Sequence, residues 1–291
     1  MTTEGANARR VEVAVDARNP GQAFACMGIF ELYDLDAREN GHERPTARFI
    51  PRDGSCTFEI EGHLDGADLA TLLRSLVAEE ARDADKKDKK RPVVIRARDH
   101  ALGIRLNSWT GFSKRDVAPR LFAGNQAAME AMDSLLERKS VRGKPVERWL
   151  DSVSFVGFDA FDLTNGNAPL AKNPMGYDVR VGRSTIDVGF SENNVGVKRE
   201  WFALVELLAP IGIQFARPVR HSATGGLAYA LWTEALPLPL ARVAMSCALP
   251  TEGSQRWLTD LVGSQRRGGN PFGTKDEYLT FIPARLIEDN A

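Results

Sequence analysis

Residues 11–30 read VEVAVDARNPGQAFACMGIF, and this stretch decides the fold. Its valines alternate with other residues over 11–16, which predicts a short strand. Asn19 is a good N-cap and Pro20 a good first helical residue, so a helix is predicted from Gly21 to about Asp36. Apolar residues occupy most sides of that helix, which indicates that it is buried rather than lying on the surface.

Further elements follow within the first hundred residues. Residues 47–50 and 56–60 have the patterns of strands, and Asp53-Gly54 between them is a tight-turn signal. Asp65-Gly66 opens a predicted helix whose apolar residues have helical spacing: Leu69, Leu72, Leu73, Leu76 and Val77. A charged tract over 79–91 leads to a strand at 93–95. The order strand, helix, strand, strand, helix, strand is that of the ferredoxin-like, or split βαβ, motif.

The second part of the chain permits the same order again, less regularly. Its patterns predict helices at 125–138 and 201–211, and strands at 104–109, 153–158, 186–188 and 227–232. The loops are long, with an insertion over about 162–183, and a short strand at 278–282 closes the chain. We therefore expect an α+β protein of two ferredoxin-like (βαββαβ) units. One covers 1–100, and a looser one with insertions covers 101–291 and carries a C-terminal basic glycine loop.

The composition is that of an ordinary globular protein, with 43% hydrophobic and 26% charged residues and a formal net charge of -1. A free-standing DNA binder is usually more basic, so any nucleic-acid surface is expected to be local or shared with an assembly. The three cysteines form no CxxC and suit a reduced core. Met1 to Arg10 lacks the apolar stretch of a signal peptide, and no window has the length of a membrane span. A cytoplasmic location without membrane contact is predicted.

The four histidines, His42, His63, His100 and His221, show no metal-binding spacing. No pair lies four residues apart on a predicted helix, so neither a metal nor a cofactor is predicted. His42 and His63 fall in predicted turns and are expected to be solvated. The chain also lacks the GxSxG nucleophile elbow, the Walker A lysine loop and a GxGxxG after the first strand. No catalytic residue is therefore assigned.

His221 is the candidate if the protein is an enzyme. It follows Arg217 and Arg220 and precedes a run of small residues over 222–226. A histidine in such a loop can act as general base on an RNA 2′-hydroxyl while the arginines hold the phosphate. A surface loop with scattered polar residues explains the same pattern.

Other segments suit RNA contacts. In 264–273, adjacent glycines permit positive φ and close approach of the backbone, while neighbouring arginines supply phosphate-pairing charge. Residues 107–115 mix Trp109 with small polar and basic residues, a composition that suits stacking on unpaired bases and also a hairpin edge. A solvated connector is the alternative for the first segment. The predicted RNA-binding residues are Lys114, Arg115, Arg217, Arg220, His221, Arg266, Arg267, Gly268, Gly269, Asn270 and Lys275.

Several stretches, in order across most of the chain, resemble a CRISPR-associated protein family found with subtype I-U (I-G) effector operons. They are NPGQAFACMG at 19–28, LFAGNQ at 121–126, VGFSENN at 188–194, FALVELLAPIG at 202–212 and ARP at 216–218. Such proteins look like RAMP-type subunits, which use ferredoxin-like domains to hold CRISPR RNA. The resemblance implies a non-catalytic, RNA-binding structural subunit of a type I CRISPR effector complex in antiviral defence. Its partners would be CRISPR RNA and the other protein subunits.

Two alternatives stay open at this point. The first is a metal-independent CRISPR repeat endoribonuclease that uses a histidine, His221 or His100, although no motif match transfers a catalytic role to either. The second is a small-molecule enzyme of unrecognised type, for which a deep apolar pocket with convergent polar groups would be the sign.

Overall fold

The computed structural model describes residues 9–52, 55–81, 92–106, 128–136, 177–178, 202–222, 226–259, 261–264, 278–281 and 283–287. Its helices are α1 (Pro20–Glu39), α2 (Gly66–Arg74), α3 (Ala128–Leu136), α4 (Ala203–Phe215) and α5 (Leu238–Met245). Its strands are β1 (Arg9–Val15), β2 (Thr46–Arg52), β3 (Ser55–Gly62), β4 (Leu76–Glu80), β5 (Val93–Ala97), β6 (Ile104–Leu106), β7 (Val219–Arg220), β8 (Leu227–Leu231), β9 (Leu236–Pro237), β10 (Gln255–Thr259), β11 (Leu261–Ser264), β12 (Tyr278–Phe281) and β13 (Arg285–Leu286). The mixed α+β class predicted from the sequence is confirmed.

The first sheet has the order β1-β3-β2-β9. β3 is antiparallel to both of its long neighbours, with Phe58 opposite Val13 of β1 and Phe49 of β2. β1 and β2 are therefore parallel to each other, joined by α1, with β3 between them, which is the arrangement of a split βαβ unit. The alternating valines of β1 point into the core, as the sequence pattern indicates, because successive side chains of a strand face opposite sides.

The second part of the predicted 1–100 unit differs from the expectation. α2 ends at Arg74, and Leu76 and Val77, predicted to be helical, begin β4 and pair with Ala97 and Arg96 of β5. β5 lies between β4 and β6 in a separate three-stranded sheet. Among the described strands, none pairs with the outer edge of β1. A complete ferredoxin-like unit would place its fourth strand on that edge, so this finer description stays a prediction.

The remaining described elements include a second four-stranded sheet of order β13-β10-β8-β7. The helix predicted at 201–211 is α4 and extends to Phe215, and the helix predicted at 125–138 is the shorter α3. The strand predicted at 227–232 is β8, which is buried along its whole length. The strands predicted at 153–158 and 186–188 lie outside the described residues.

Helix α1 is buried on nearly all sides, and its most extensive contact is with α4. Its start is fixed by Asn19, whose side-chain oxygen accepts the backbone N–H of Gln22 at 3.3 Å. At the crossing, a Cβ on Gly28 would lie 2.1 Å from the carbonyl oxygen of Leu208, and one on Gly212 would lie 1.9 Å from that of Phe24. The two backbones are therefore in contact, which only glycine at these positions allows.

Residues on both sides of the predicted 100/101 boundary share one hydrophobic core. The indole N–H of Trp232 donates to the carbonyl of Ala47 at 2.8 Å, and the N–H of Phe49 donates to the carbonyl of Trp232 at 2.7 Å. The Tyr229 hydroxyl donates to the carbonyl of Ala17 at 2.7 Å. These bonds and the ring contacts of Phe49, Phe58 and Trp232 join the first sheet to the segment after α4.

Candidate functional site

The first candidate surface is the segment between α4 and β8, where the structure places three of the predicted RNA-binding residues. Arg217 and Arg220 are exposed, and His221 is half-buried with its backbone N–H donating to the carbonyl of Gly226 at 2.8 Å. We call Arg217, Arg220 and His221 the basic edge. It lies at the edge of the second sheet because Arg220 belongs to β7, which pairs on one side only, with β8, among the described strands.

Exposed apolar side chains accompany the basic edge. Phe215 at the end of α4 is 39% exposed and Val219 in β7 is 40% exposed. The guanidinium of Arg242, from α5, lies 4.5 Å from the centre of the Phe215 ring, a cation–π contact. Exposed arginines can pair with phosphates, and an exposed aromatic ring can stack on a base.

The other predicted RNA-binding residues lie outside the described residues. They are Lys114, Arg115, Arg266, Arg267, Gly268, Gly269, Asn270 and Lys275. The structure therefore neither brings them to the basic edge nor separates them from it.

A second candidate site forms around the Asp36 carboxylate near the end of α1. His63 donates from Nε2 to Asp36 Oδ2 at 2.7 Å, and His100 Nε2 lies 3.0 Å from Asp36 Oδ1. Asn40 donates from Nδ2 to Asp36 Oδ1 at 3.1 Å. Because a carboxylate only accepts, both imidazoles carry a proton on Nε2. One buried carboxylate thus fixes the orientation and tautomer of two histidines.

The ring of His63 lies between two other aromatic side chains. The exposed His42 ring stacks on it with a centroid distance of 4.4 Å and an interplanar angle of 29°. Tyr33 meets it edge-on at 5.0 Å. The Tyr33 hydroxyl donates to the carbonyl of Leu64 at 2.9 Å, and burial raises the pKa of Tyr33 to about 12. The phenol therefore stays protonated and holds the turn that carries His63.

Three segments bring these side chains together. Asp36 comes from α1, His63 from the turn between β3 and α2, and His100 from the loop after β5. Glu39 fixes that loop on α1, since its carboxylate accepts the backbone N–H groups of Ala101 at 3.0 Å and Leu102 at 3.1 Å. The same two hydrogen bonds hold the pKa of Glu39 below its usual value.

The three histidines border a cleft with a volume of about 520 Å³, which we call the histidine cleft. The rest of its lining includes the carboxylates of Asp68 and Asp99 and the hydroxyls of Thr71 and Ser75, together with apolar side chains. Within the described part of the chain, no group of three or more His, Cys, Asp and Glu side chains is placed to hold a metal ion.

No motif or residue spacing in the sequence predicted the histidine cleft. The expectation that His63 is solvated is wrong, because its side chain is only 14% exposed and is bonded to Asp36. His42 is exposed, as expected, but it is stacked on His63. No spacing links residues 36, 63 and 100, so only the folded chain reveals that they meet.

The fold and these two sites define the class of protein, an α+β protein with a basic sheet edge and a histidine-lined cleft. Comparison of the chain with protein-family models, with curated proteins and with solved structures found no match in any of the three. Among the described residues, no helix is long and apolar enough to span a bilayer.

Proposed function

We propose that this protein is a non-catalytic, RNA-binding structural subunit of a type I CRISPR effector complex that works in the cytoplasm in antiviral defence. The observation that carries the proposal is the basic edge, where Arg217 and Arg220 are exposed and follow the exposed Phe215 closely in the chain. A chain with net charge -1 needs such a local surface to hold a phosphodiester backbone.

The stretches that resemble the CRISPR-associated family support the proposal through the fold. Residues 19–28 and 202–212 form the contacting parts of α1 and α4, including Gly28 and Gly212. The resemblance therefore lies in residues that build the helix crossing. The split βαβ arrangement of β1, α1, β2 and β3 also agrees with the ferredoxin-like units that RAMP-type subunits use, and the basic edge directly follows the second matching helix.

The surface next to the basic edge supports contact with other protein subunits. Leu240 and Val243 on α5 are 45% and 40% exposed and flank Arg242, which stacks on Phe215. Exposed apolar residues next to arginine are typical of protein interfaces. A protein subunit that docked there would lie next to the basic edge.

The proposal predicts that replacing both arginines of the basic edge weakens RNA binding and its salt dependence. In R217A/R220A, the effector complex should bind CRISPR RNA at least about tenfold more weakly, since each arginine releases phosphate counterions on binding. The slope of log K against log salt should fall by about 2. The measurement is filter binding over a salt series, on complexes purified with their operon partners.

Arg285→Ala is the matched control, because Arg285 is also exposed and lies in β13 on the opposite edge of the same sheet. It should leave both the affinity and the salt slope unchanged. Equal losses in both variants would show a general charge effect and reject the basic edge. If complexes purified with all operon partners retain no CRISPR RNA, the proposed function itself is wrong.

A further inference from the structure

Strand β1 has one edge that no described strand covers, and we call it the β1 edge. On the other side, β3 pairs with β1 along its whole length, from Arg9 opposite Gly62 to Val15 opposite Cys56. In an antiparallel pair, every second residue turns its N–H and C=O groups away from the partner strand. Among the described residues, the β1 edge is therefore a row of backbone donors and acceptors to which another strand can pair.

The exposed side chains of β1 carry opposite charges two residues apart. Arg10 and Glu12 lie on the same face of the first sheet, because alternate residues of a strand point to the same side. Both side chains are exposed, whereas Val11 between them is buried in the core. A strand that pairs with the β1 edge therefore places its own side chains directly beside Arg10 and Glu12.

These two charges are not fully used within the chain. Glu12 lies directly opposite Glu59 of β3, and among the described residues it has no salt bridge. Arg10 Nη1 lies 3.1 Å from Glu59 Oε2, but the Arg10 side chain stays 51% exposed. Like charges directly opposite each other in a sheet are unfavourable. A cation beside Glu12 on the open side of β1 would offset this repulsion.

The sequence of β1 is complementary to itself in one antiparallel register. With Val11 opposite Val11 of a second copy, Arg10 of each copy lies opposite Glu12 of the other. Centring the pair on Arg10 or on Glu12 instead puts like charges opposite each other. Centring it on Val13 puts Glu12 opposite Ala14 and forms no ion pair within β1. The charges of β1 thus favour a single register about Val11.

The same charges limit which strands can pair there. Charged side chains on an edge strand normally prevent pairing with unrelated chains. At the β1 edge they exclude any strand that brings a cation to Arg10 or an anion to Glu12. A second copy of this chain meets the requirement without any further condition, since two-fold symmetry reverses the order of the two charges.

We propose that the β1 edge is a dimer interface, at which β1 of a second copy pairs antiparallel about Val11 and Arg10 and Glu12 form reciprocal ion pairs. The first sheets of the two copies then form one continuous sheet in the order β9-β2-β3-β1-β1-β3-β2-β9. The basic edge belongs to the other four-stranded sheet, so the inference goes beyond the proposed function and does not depend on it.

Two measurements on the full-length protein test the dimer. Sedimentation equilibrium is run at protein concentrations up to about 100 μM, because small interfaces associate weakly, and it should show a reversible dimer. Amide hydrogen exchange is compared at the lowest and highest concentrations. The peptide that covers β1 should be better protected at the highest one, since the N–H groups along the β1 edge then bond to the second copy.

Charge variants test the register. Glu12→Arg puts two like-charged pairs at the interface and should weaken dimerisation by at least about tenfold. The double variant R10E/E12R restores both opposite-charge pairs, so dimerisation should return to within about threefold of the wild type. Position 12 faces Glu59, so the double variant also keeps a cation beside that carboxylate. Glu43→Arg, the same charge change at an exposed position between α1 and β2, is the control and should dimerise like the wild type.

The inference is overturned if the wild-type protein sediments as a monomer over the whole concentration range. It is also overturned if a dimer forms without added protection of β1, or if Glu12→Arg and Glu43→Arg change dimerisation equally. Failure of R10E/E12R to restore the dimer lost in Glu12→Arg, with exchange showing β3 still protected, would reject the register about Val11. These results are separate from RNA retention by the effector complex, which tests the proposed function alone.

Discussion

Gly212→Ala is expected to lower the free energy of unfolding by about 3 kcal/mol or more, because the added methyl group has no space at the crossing of α1 and α4. The Cβ would lie 1.9 Å from the carbonyl oxygen of Phe24 and 2.9 Å from both the backbone nitrogen of Gly28 and the Cβ of Met27. Two of these three neighbours are backbone atoms, so no rotamer change relieves the clash and the helices must move apart. Urea denaturation followed by tryptophan fluorescence measures the loss.

Gly41→Ala separates the steric effect from the general cost of replacing a glycine. Gly41 has φ of +68° and no atom within 4 Å of an added Cβ, so the substitution strains only the backbone. That strain should cost about 1 kcal/mol. If Gly212→Ala is no less stable than Gly41→Ala, the backbone contact between α1 and α4 is not as close as described.

The close crossing explains which parts of the fold could be predicted from the sequence. The start of α1 follows from Asn19 and Pro20, and its burial follows from apolar residues on all sides, so both were predicted from local residues. The partner of α1 could not be predicted, since the contact between Gly28 and Leu208 joins residues far apart in the chain. Glycine in a helix pattern indicates a close approach without identifying the neighbour.

Errors occurred where a short local pattern fits two structures. Leu76 and Val77 continue the helical spacing of α2, but Ser75 ends that helix and its hydroxyl donates to the carbonyl of Leu72 at 2.7 Å. The two residues then form a strand because β5 is available to pair with them, which is a non-local condition. Helix α5 was missed because its eight residues begin with Leu238-Pro239 and are too few for a clear periodicity.

The two candidate sites also differ in whether their residues are close together in the sequence. Arg217, Arg220 and His221 are close in sequence, so a pattern of charges could indicate them, and the structure shows both arginines exposed. The histidine cleft depends on Asp36, His63 and His100, which meet only after β3 and β5 are in place. A buried acid near the end of an apolar helix was the single local sign, because such a carboxylate needs partners.

The other acidic residues along α1 also have bonding partners, as buried carboxylates require. Glu31, Asp34 and Asp36 are all buried, and each bonds a cationic or imidazole side chain from another segment. Asp34 accepts from Arg44, with Nη2 to Oδ2 at 2.6 Å, and Asp36 accepts from His63. A helix enclosed on most sides keeps its carboxylates away from water, so these bonds also determine which segments pack around it.

Arg242→Met is expected to lower the free energy of unfolding by about 2 to 3 kcal/mol at neutral pH, because it leaves the Glu31 carboxylate buried without its partner. Arg242 donates to Glu31 through Nε at 2.6 Å and Nη2 at 2.5 Å, and Glu31 is 3% exposed. Arg285→Met is the control, since the Arg285 side chain is exposed in β13, and the substitution should cost no more than about 0.5 kcal/mol.

The pH dependence of the Arg242→Met effect follows from the pKa of Glu31. Burial raises this pKa even though Arg242 lowers it by hydrogen bonding, so folding favours the protonated acid. A raised pKa in the folded state means that the stability contributed by Glu31 is present below its unfolded pKa and is lost as pH rises through the folded pKa. Removing Arg242 raises the pKa of Glu31 further and increases that loss of stability at neutral pH.

Urea denaturation of wild type and Arg242→Met should therefore show a difference in the free energy of unfolding that shrinks as the pH falls through the range in which Glu31 is protonated. A difference that stays constant with pH would instead show that Arg242 stabilises the fold through packing on Phe215.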